Sequence, residues 1–138
     1  MNVELVRTNR DDPNFYNLIG PFFGSRQVAK DLGMPIWNDP GREWIVALSN
    51  CVPIACSSIE FLKTPGKAVM KSGWVHPDWR GQGVYNRMFE ERLRIAKERG
   101  VKRIIATVTD KSYNTHIRHG FEQIGIKGKY KIMRKELE

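Results

Sequence analysis

A run of eleven residues, Val75–Tyr85, holds the residue types best suited to chemistry in this chain. Within it, Arg80 precedes Gly81 and Gly83, and the run lies between a strand-like segment and a long amphipathic helix. A tight turn that opens a helix directs several backbone N–H groups, and the positive end of the helix dipole, at one point. Phosphate oxygens bind well at such a point, and glycines let them approach because they lack a Cβ atom. The run therefore predicts a phosphate-binding turn, although an ordinary strand-to-helix turn can carry the same glycines.

The positive charge of the chain is concentrated in the half that contains this run. The net charge is +8, from 23 Lys and Arg against 15 Asp and Glu. Residues 1–70 hold seven side chains of each sign, whereas residues 71–138 hold sixteen basic and eight acidic ones. This asymmetry favours a polyanionic ligand or partner. A basic surface that serves only solubility explains the same charge, so both interpretations stay open.

Length and composition are those of an ordinary globular domain. With 138 residues, we expect one domain covering 1–138, large enough to bury about two thirds of its unfolded surface. No apolar run approaches the ~20 residues of a membrane span, and the charged segment Met1–Pro13 differs from a signal peptide. We therefore expect a cytoplasmic protein. Cys51 and Cys56 have no neighbouring ligands in the sequence, which favours reduced cysteines over a metal site.

The elements that position the run follow from hydrophobic periodicity and turn signals. A strand, a helix and a strand, Lys67–Val75, Gln82–Arg99 and Lys102–Val108, imply a parallel pair with a right-handed crossover. The strands around this unit form an antiparallel meander, so the sheet is mixed and the fold class is α/β in the α+β sense. The other predicted strands are Val3–Arg7, Glu43–Ser49, Val52–Leu62, Phe121–Ile126 and Tyr130–Arg134, and the other predicted helices are Asn14–Phe23 (helix or loop), Arg26–Leu32 and Ser112–His119.

Two landmarks resemble the GNAT acetyltransferase superfamily. The run V-H-P-D-W-R-G-Q-G-V, Val75–Val84, is similar to the acetyl-CoA signature of that family, V-x-P-x-x-R-G-x-G-[IV]. The later S-Y-N-T-H-I-R-H-G-F, Ser112–Phe121, resembles its second landmark, a short helix with an asparagine followed by Gly-Phe. The order of the predicted elements also matches, so the resemblance covers nearly the whole chain. It implies a mixed, mostly antiparallel central sheet of about six to seven strands with helices on both faces.

The resemblance also implies acetyl-CoA as a co-substrate and no metal. Backbone N–H groups of the turn Arg80–Tyr85 would hold its pyrophosphate, and its pantetheine arm would enter where the strand Ala68–Val75 separates from the next parallel strand. A backbone N–H near Trp74 or Val75 would polarise the thioester carbonyl. A β-bulge at Gly73 would direct this N–H toward the thioester. The predicted cofactor-binding residues are Trp74, Val75, Arg80, Gly81, Gln82, Gly83, Val84, Tyr85 and Asn114.

Tyr85 departs from the family pattern, which places Gly or Ala where the helix passes close to the phosphates. Either its ring points outward, or its hydroxyl reaches the cofactor or the acceptor. A ring that projects into the pyrophosphate site would lower the affinity for coenzyme A. The sequence leaves both orientations open.

Three side chains are candidates for proton transfer. Many members of the family carry a tyrosine, the acid that protonates the leaving thiolate, where this chain has His116. Histidine transfers protons near neutral pH, but a position on the helix surface explains this residue as well; Tyr113 lies about one helical turn earlier. Glu60 is the sole acidic residue in the strand 52–62, and it is the candidate general base unless strand alternation turns it to solvent.

The sequence therefore predicts an N-acetyltransferase that moves the acetyl group of acetyl-CoA to a primary amine by direct attack. The expected partners are acetyl-CoA and an amine-bearing acceptor, selected by the aromatic-rich segment 14–37, and a homodimer is compatible with the sequence. One alternative is a nucleic-acid-associated domain that contacts phosphates through a basic edge with Tyr130 interleaved, formed by Lys127, Lys129, Lys131, Arg134 and Lys135. Another is a CoA-binding domain without turnover, suggested by Tyr85 and by the missing tyrosine at His116.

Overall fold

The computed structural model of the protein describes residues 2–137. Within this range, no helix is both long enough and apolar enough to cross a membrane. The strands are β1 (Val3–Thr8), β2 (Arg42–Ser49), β3 (Val52–Phe61), β4 (Lys67–Val75), β5 (Arg103–Val108), β6 (Glu122–Lys127) and β7 (Tyr130–Glu136). The helices are α1 (Phe15–Phe23), α2 (Arg26–Leu32), α3 (Val84–Glu98) and α4 (Asp110–Arg118), with a short 3-10 helix at Pro77–Trp79.

The strands form one sheet in which a single neighbouring pair is parallel. Their order is β1-β2-β3-β4-β5-β7-β6. β4 and β5 run parallel and are connected through α3, while every other neighbouring pair is antiparallel. The predicted fold class, a mixed and mostly antiparallel sheet of α/β type, is confirmed.

The centre of the sheet is buried on both faces, and each face has its own core. Along β2, Ile45 and Ala47 belong to the core beneath α3, whereas Trp44 and Val46 belong to the core beneath α1 and α2. All four side chains are fully buried, because successive residues of a strand point to opposite faces and helices cover both. The predicted helices on both faces are therefore present, and the sheet is a rigid support for whatever lies at its edges.

Some elements have the predicted boundaries, and others begin at a different residue. α2 and β4 have the predicted boundaries, whereas α3 begins at Val84 because Gly83, with a φ of 83°, is its N-cap. α1 begins at Phe15 rather than Asn14, after a turn in which the carboxylate of Asp12 accepts the N–H of Asn14 at 2.9 Å.

β4 and β5 part halfway along β4. Four residue pairs join them, ending at Met70 opposite Ala106. The remaining residues of β4, 71–75, have no partner among the described residues of β5. A wedge-shaped gap therefore opens in the middle of the sheet, and the predicted separation of these strands is confirmed.

A β-bulge lies just beyond the last of these pairs. On β4, Ser72 and Gly73 together face Ser57 of β3, because the register shifts between Cys56 and Ser58. Ser72 has a φ of 56°, in the left-handed region. A bulge bends its strand and increases the local twist, which helps to carry the end of β4 away from β5. The bulge predicted at Gly73 is present.

Candidate functional site

A cleft of about 780 Å³ lies in the gap between β4 and β5. Its walls come from the free half of β4, the end of β5, the turn before α3, helix α4 and the loop after α2. The volume lies in the range of small-molecule sites. The cleft therefore joins segments that are far apart in the sequence, from Asp31 to Tyr130.

The turn that leads into α3 has the open geometry of an anion site. Gly81 and Gly83 have φ values of 77° and 83°, and no described atom lies within 4 Å of the position that a Cβ on either would take. The N–H of Arg87 donates to the C=O of Gly83 at 3.0 Å, so the N–H groups of residues 84–86 precede the first helical bond and lack a helical acceptor. No described side chain caps this end of the helix. The turn fits a phosphate group.

The side chains of two turn residues are used inside the protein. Gln82 Nε2 donates to the C=O of Asp78 at 3.2 Å. Val84 is buried in the core beneath α3. Both residues can therefore contribute backbone N–H groups to an anion site, but not their side chains.

The backbone of Val75 is turned toward the gap. The N–H of His76 donates to the C=O of Ile54 on β3 at 2.8 Å, and bonded pairs alternate along antiparallel strands. The N–H and C=O of Val75 therefore point away from β3, and this C=O accepts a hydrogen bond from Arg80 Nε at 2.8 Å. By the same alternation, the N–H of Trp74 faces β3. Of the two N–H groups predicted to meet a thioester, that of Val75 faces the gap.

Asp31, at the end of α2, holds two of the predicted site residues. Its carboxylate accepts hydrogen bonds from Trp74 Nε1 at 2.9 Å and from Arg80 Nη2 at 2.6 Å. The hydrogen bonds from Trp74, Arg80 and Gln27 hold the pKa of Asp31 far below its usual range. Because this carboxylate already offsets the charge of Arg80, the backbone N–H groups of the turn are the main attraction for an anion.

Tyr85 points inward, so the outward orientation that the sequence leaves open is wrong. Its ring lies so close to Gly73 that a Cβ there would be 2.8 Å from Tyr85 Cε2. The ring also packs against the core beneath α3, and the guanidinium carbon of Arg92 lies 5.8 Å from its centroid. The ring therefore covers the bulge on β4, and the backbone of Tyr85 stays part of the anion-binding turn.

His116 lines the cleft but is only 3% exposed. Its Nδ1 lies 2.8 Å from the C=O of Ser112; because a carbonyl only accepts, Nδ1 carries the proton and Nε2 is free to accept one. Burial, beside the rings of Phe89 and Phe121, lowers the pKa of His116 to about 4. A neutral imidazole at pH 7 suits a proton acceptor better than the acid predicted for this position.

The structure does not bring the other three predicted side chains to the cleft. Tyr113 packs against the core beneath α3, and Asn114 is exposed, because α4 turns a different face toward the cleft. Glu60 is bound by Arg42 at 3.3 Å and by Lys71 at 3.4 Å. It lies on β3, which β4 separates from the gap. These three positions give no geometric support to a catalytic or cofactor-binding role.

Arg92 lines the cleft although the sequence analysis does not identify it. It follows Met88 by four residues and precedes Ala96 by four, and both of these are fully buried. Helical spacing thus places a cation in the middle of an apolar stripe of α3, and that interruption was the available signal. Three exposed cations also line the cleft, Lys111, Arg118 and Lys127, and of these only Lys127 belongs to the predicted basic edge.

Comparisons with known proteins agree with this architecture. Residues 13–126 match the model of the acetyltransferase (GNAT) family, and no curated protein matches the chain. Among solved structures, Escherichia coli ElaA has a TM-score of 0.79 at 14% identity, with 97% of this chain and 99% of that chain covered. An acetyltransferase of the GNAT family from Staphylococcus aureus Mu50 has a TM-score of 0.76 at 13% identity over 99% of both chains.

A third similar structure contains a ligand. The PaiA N-acetyltransferase of Thermoplasma acidophilum, solved in complex with coenzyme A, has a TM-score of 0.71 at 12% identity. The alignment covers 99% of this chain and 100% of that chain. At such low identity, the likeness to these structures shows a shared fold.

Proposed function

Because this chain belongs to the acetyltransferase (GNAT) family, we propose that it moves the acetyl group of acetyl-CoA to a primary amine. The observation that carries the proposal is the free edge of β4, residues 71–75, next to an uncapped helix N-terminus. The open N–H groups at Gly81–Asn86 suit the pyrophosphate of coenzyme A. The free strand edge suits its pantetheine arm, since an extended chain adds to such an edge through backbone hydrogen bonds.

On this proposal, the protein supplies one hydrogen-bond donor at the centre of the reaction. When bound, acetyl-CoA supplies an acyl thioester with a carbonyl carbon that an amine can attack. The N–H of Val75 faces the gap and would donate to the thioester oxygen, where negative charge develops. The C–N bond forms as the C–S bond breaks, so the amine loses one proton and the thiolate gains one. The products are an amide and free coenzyme A.

His116 is our candidate for the proton transfer. Its Nε2 is unprotonated and belongs to a residue that lines the cleft, so it would take the proton of the attacking amine directly or through a water. The Tyr85 hydroxyl belongs to another residue of the cleft wall and would donate a hydrogen bond to the substrate. Neither Tyr113 nor Glu60 enters this scheme, because neither lines the cleft.

The proposal is tested by binding first and by turnover second. Acetyl-CoA should raise the melting temperature in a saturable way, with about 2.7 kcal/mol of stabilisation at a concentration of 100 Kd. An acetyl thioester of the same length that lacks the nucleotide is the control, and it should stabilise far less. Thiol release should then require both acetyl-CoA and an amine. No stabilisation at millimolar acetyl-CoA would overturn the proposal.

Two alternatives are separated by the same measurements. Binding of acetyl-CoA without thiol release across a broad amine panel would favour a CoA-binding domain without turnover. A nucleic-acid-associated domain has less support, because two of its five basic residues are paired, Lys131 with Asp110 at 2.6 Å and Arg134 with Glu122 at 2.7 Å. Salt-dependent binding to nucleic acid without an effect of acetyl-CoA would favour it nevertheless.

A further inference from the structure

Arg92 is a buried cation without a counter-ion. Only 2% of the residue is exposed, and its Nη1 donates to the C=O of Ser58 at 3.2 Å. Its Nε and Nη2 have no partner, and none of the salt bridges formed within residues 2–137 includes it. Arginine stays charged at physiological pH. The cleft wall therefore holds a full positive charge with unsatisfied N–H groups.

Packing alone does not explain this residue. Burying a charge is costly, and unsatisfied buried donors add to that cost. The rings of Tyr85 and Phe89 lie 5.8 and 5.3 Å from the guanidinium carbon, and their attraction for a cation offsets only part of the cost. An apolar side chain of similar volume would fill the place at lower cost. A bound anion accounts for the arginine better than packing does.

A second buried polar atom without a partner lies on β3, one residue before Ser58. Ser57 is fully buried, and its Oγ has no hydrogen bond with any described residue. It directly precedes Ser58, whose C=O accepts from Arg92. Ser57 also faces the bulge at Ser72 and Gly73 on β4. A cation and a hydroxyl thus meet the same short stretch of the strand that borders the cleft.

Arg92 lies farther along α3 than the N–H groups that would hold the phosphates. Arg92 follows Val84 by eight residues, which is about 12 Å along the helix axis. The open N–H groups lie at residues 81–86, so the nearest of them, at Asn86, is about 9 Å from Arg92 along the helix axis. Between them, the ring of Tyr85 covers Gly73. The guanidinium therefore serves the part of the cleft where the reacting groups of two substrates would meet.

We propose that Arg92 and Ser57 form an anion subsite that binds the carboxylate of a substrate. A guanidinium presents paired N–H groups that match the two oxygens of a carboxylate, and one cation with one hydroxyl balances a single negative charge. The carboxylate can belong to the far end of a dicarboxylic acyl group on coenzyme A, or to an amino-acid acceptor. This inference rests on the proposed function, because both sources are substrates of that reaction.

The test compares matched pairs of ligands that differ in one carboxylate. For the donor, butyryl-CoA and succinyl-CoA carry four-carbon acyl groups, and only the second ends in a carboxylate. For the acceptor, the CoA-saturated protein is titrated with amino acids and with the corresponding amino-acid amides. Affinities are measured by isothermal titration calorimetry on the full chain. We expect a preference of at least roughly tenfold for the carboxylate member of one pair, from a charge-assisted contact.

Substitutions at Arg92 and Ser57 show whether this preference depends on the proposed subsite. Arg92→Met should abolish it, and Arg92→Lys and Ser57→Ala should each weaken it, while the affinity for free coenzyme A stays unchanged. Arg94→Met is the matched control, because Arg94 is an exposed arginine of the same helix that pairs with Glu91 at 2.8 Å. Circular dichroism checks that each variant folds. The lysine and alanine variants carry the test if Arg92→Met does not fold.

The outcomes separate this inference from the proposed function. A preference for succinyl-CoA assigns the subsite to the donor, and a preference for amino acids assigns it to the acceptor. No preference in either pair, or a preference that survives Arg92→Met, overturns the subsite. If the wild type binds coenzyme A but shows no preference, only the subsite fails. If it does not bind coenzyme A at all, the proposed function fails first.

Discussion

The turn before α3 and the region around Arg92 both line the cleft, but they are built in opposite ways. The turn is exposed, is formed by consecutive residues, and presents backbone N–H groups. Its one cation, Arg80, is already paired with Asp31. The region around Arg92 is buried, is assembled from α3 and β3, and presents side chains whose charge and polar atoms are unpaired.

The two regions are suited to different kinds of recognition. Backbone N–H groups at a helix start recognise any phosphate, whatever the rest of the ligand looks like. A buried guanidinium tolerates few ligands, because an ill-matched one leaves the charge without a partner. We therefore expect the turn to hold the part that all acyl-CoA molecules share, and the buried region to select among substrates.

The largest effect should come from a substitution in the turn that leaves the buried region intact. Gly83→Val places a branched side chain at a φ of 83° and fills the open space beside the N–H groups. The loss of two hydrogen bonds to phosphate, each worth about 1.5 kcal/mol, predicts a roughly 100-fold weaker affinity for coenzyme A. Isothermal titration calorimetry measures it.

Gly100→Val is the control for Gly83→Val. Gly100 follows the other end of α3, has a φ of 72° and has the same open space around it. Both substitutions should lower the free energy of unfolding by about 1–3 kcal/mol through backbone strain. Only Gly83→Val should also weaken the binding of coenzyme A. Equal affinity in the two variants would show that the turn does not hold the ligand.

Removing an arginine should change the free energy of unfolding in opposite directions in the two regions. Arg92→Met removes an unpaired buried charge and should raise the free energy of unfolding by about 1–4 kcal/mol without ligand. Arg80→Met breaks a partly exposed ion pair and should lower it by at most about 1 kcal/mol. Urea denaturation of both variants measures the difference. A loss of stability in Arg92→Met would mean that the arginine is a packing residue.

Acidification should lower the stability through His116 on α4, which packs against Phe89 of α3. The pKa of His116 is lowered from 6.5 to about 4 in the folded protein, so the unfolded chain takes up the proton at higher pH. The resulting stability is fully present above pH 6.5 and is lost as the pH falls toward 4, by about 2 kcal/mol between pH 7 and 5. Asp31 acts in the same direction only as the pH falls below the ordinary pKa of an aspartate, because its pKa is lowered from that value in the folded protein.

His116→Asn isolates this contribution. Urea denaturation at pH 7 and pH 5 should show a clearly smaller change in the variant than in the wild type. An equal change in both proteins would assign the acid sensitivity to other groups, such as the carboxylates of Glu91 and Glu98, which also have lowered pKa values.

The smallest effect should come from the hydroxyl that lies between the two regions. Tyr85→Phe keeps the ring over Gly73, so the free energy of unfolding should change by less than about 0.5 kcal/mol. The KM for acetyl-CoA should rise about threefold to tenfold if one hydrogen bond to the substrate is lost. Steady-state thiol release measures it. An unchanged KM would show that Tyr85 contributes only its ring.

The sequence predicts the turn and not the buried region, for a physical reason. The turn depends on the φ values of Gly81 and Gly83 and on the start of one helix, and all of these are local. The boundaries of α2 and β4 are likewise set by neighbours in the chain, and the prediction for them is confirmed. Local patterns therefore carry the fold and the phosphate-binding half of the candidate site.

Contacts between distant residues decide the rest. Glu60 meets Arg42, which lies 18 positions earlier, and Arg80 meets Asp31 across 49 positions. No periodicity encodes such pairings, so the sequence leaves Glu60 as a candidate base and Arg80 as a free cation. Arg92 is different, since helical spacing alone places it on the buried face. A charged residue does not contribute to an apolar stripe, so the apolar pattern of α3 does not point to Arg92.

The contact between Gly73 and Tyr85 has a consequence for how this chain can evolve. The two residues share one volume, because any side chain at position 73 would meet the ring of Tyr85. A lineage that gains a side chain at 73 must first, or at the same time, shrink residue 85, and the reverse order passes through a crowded intermediate. Among homologues, a glycine at 73 should therefore accompany an aromatic at 85, and a larger residue at 73 should accompany a small one.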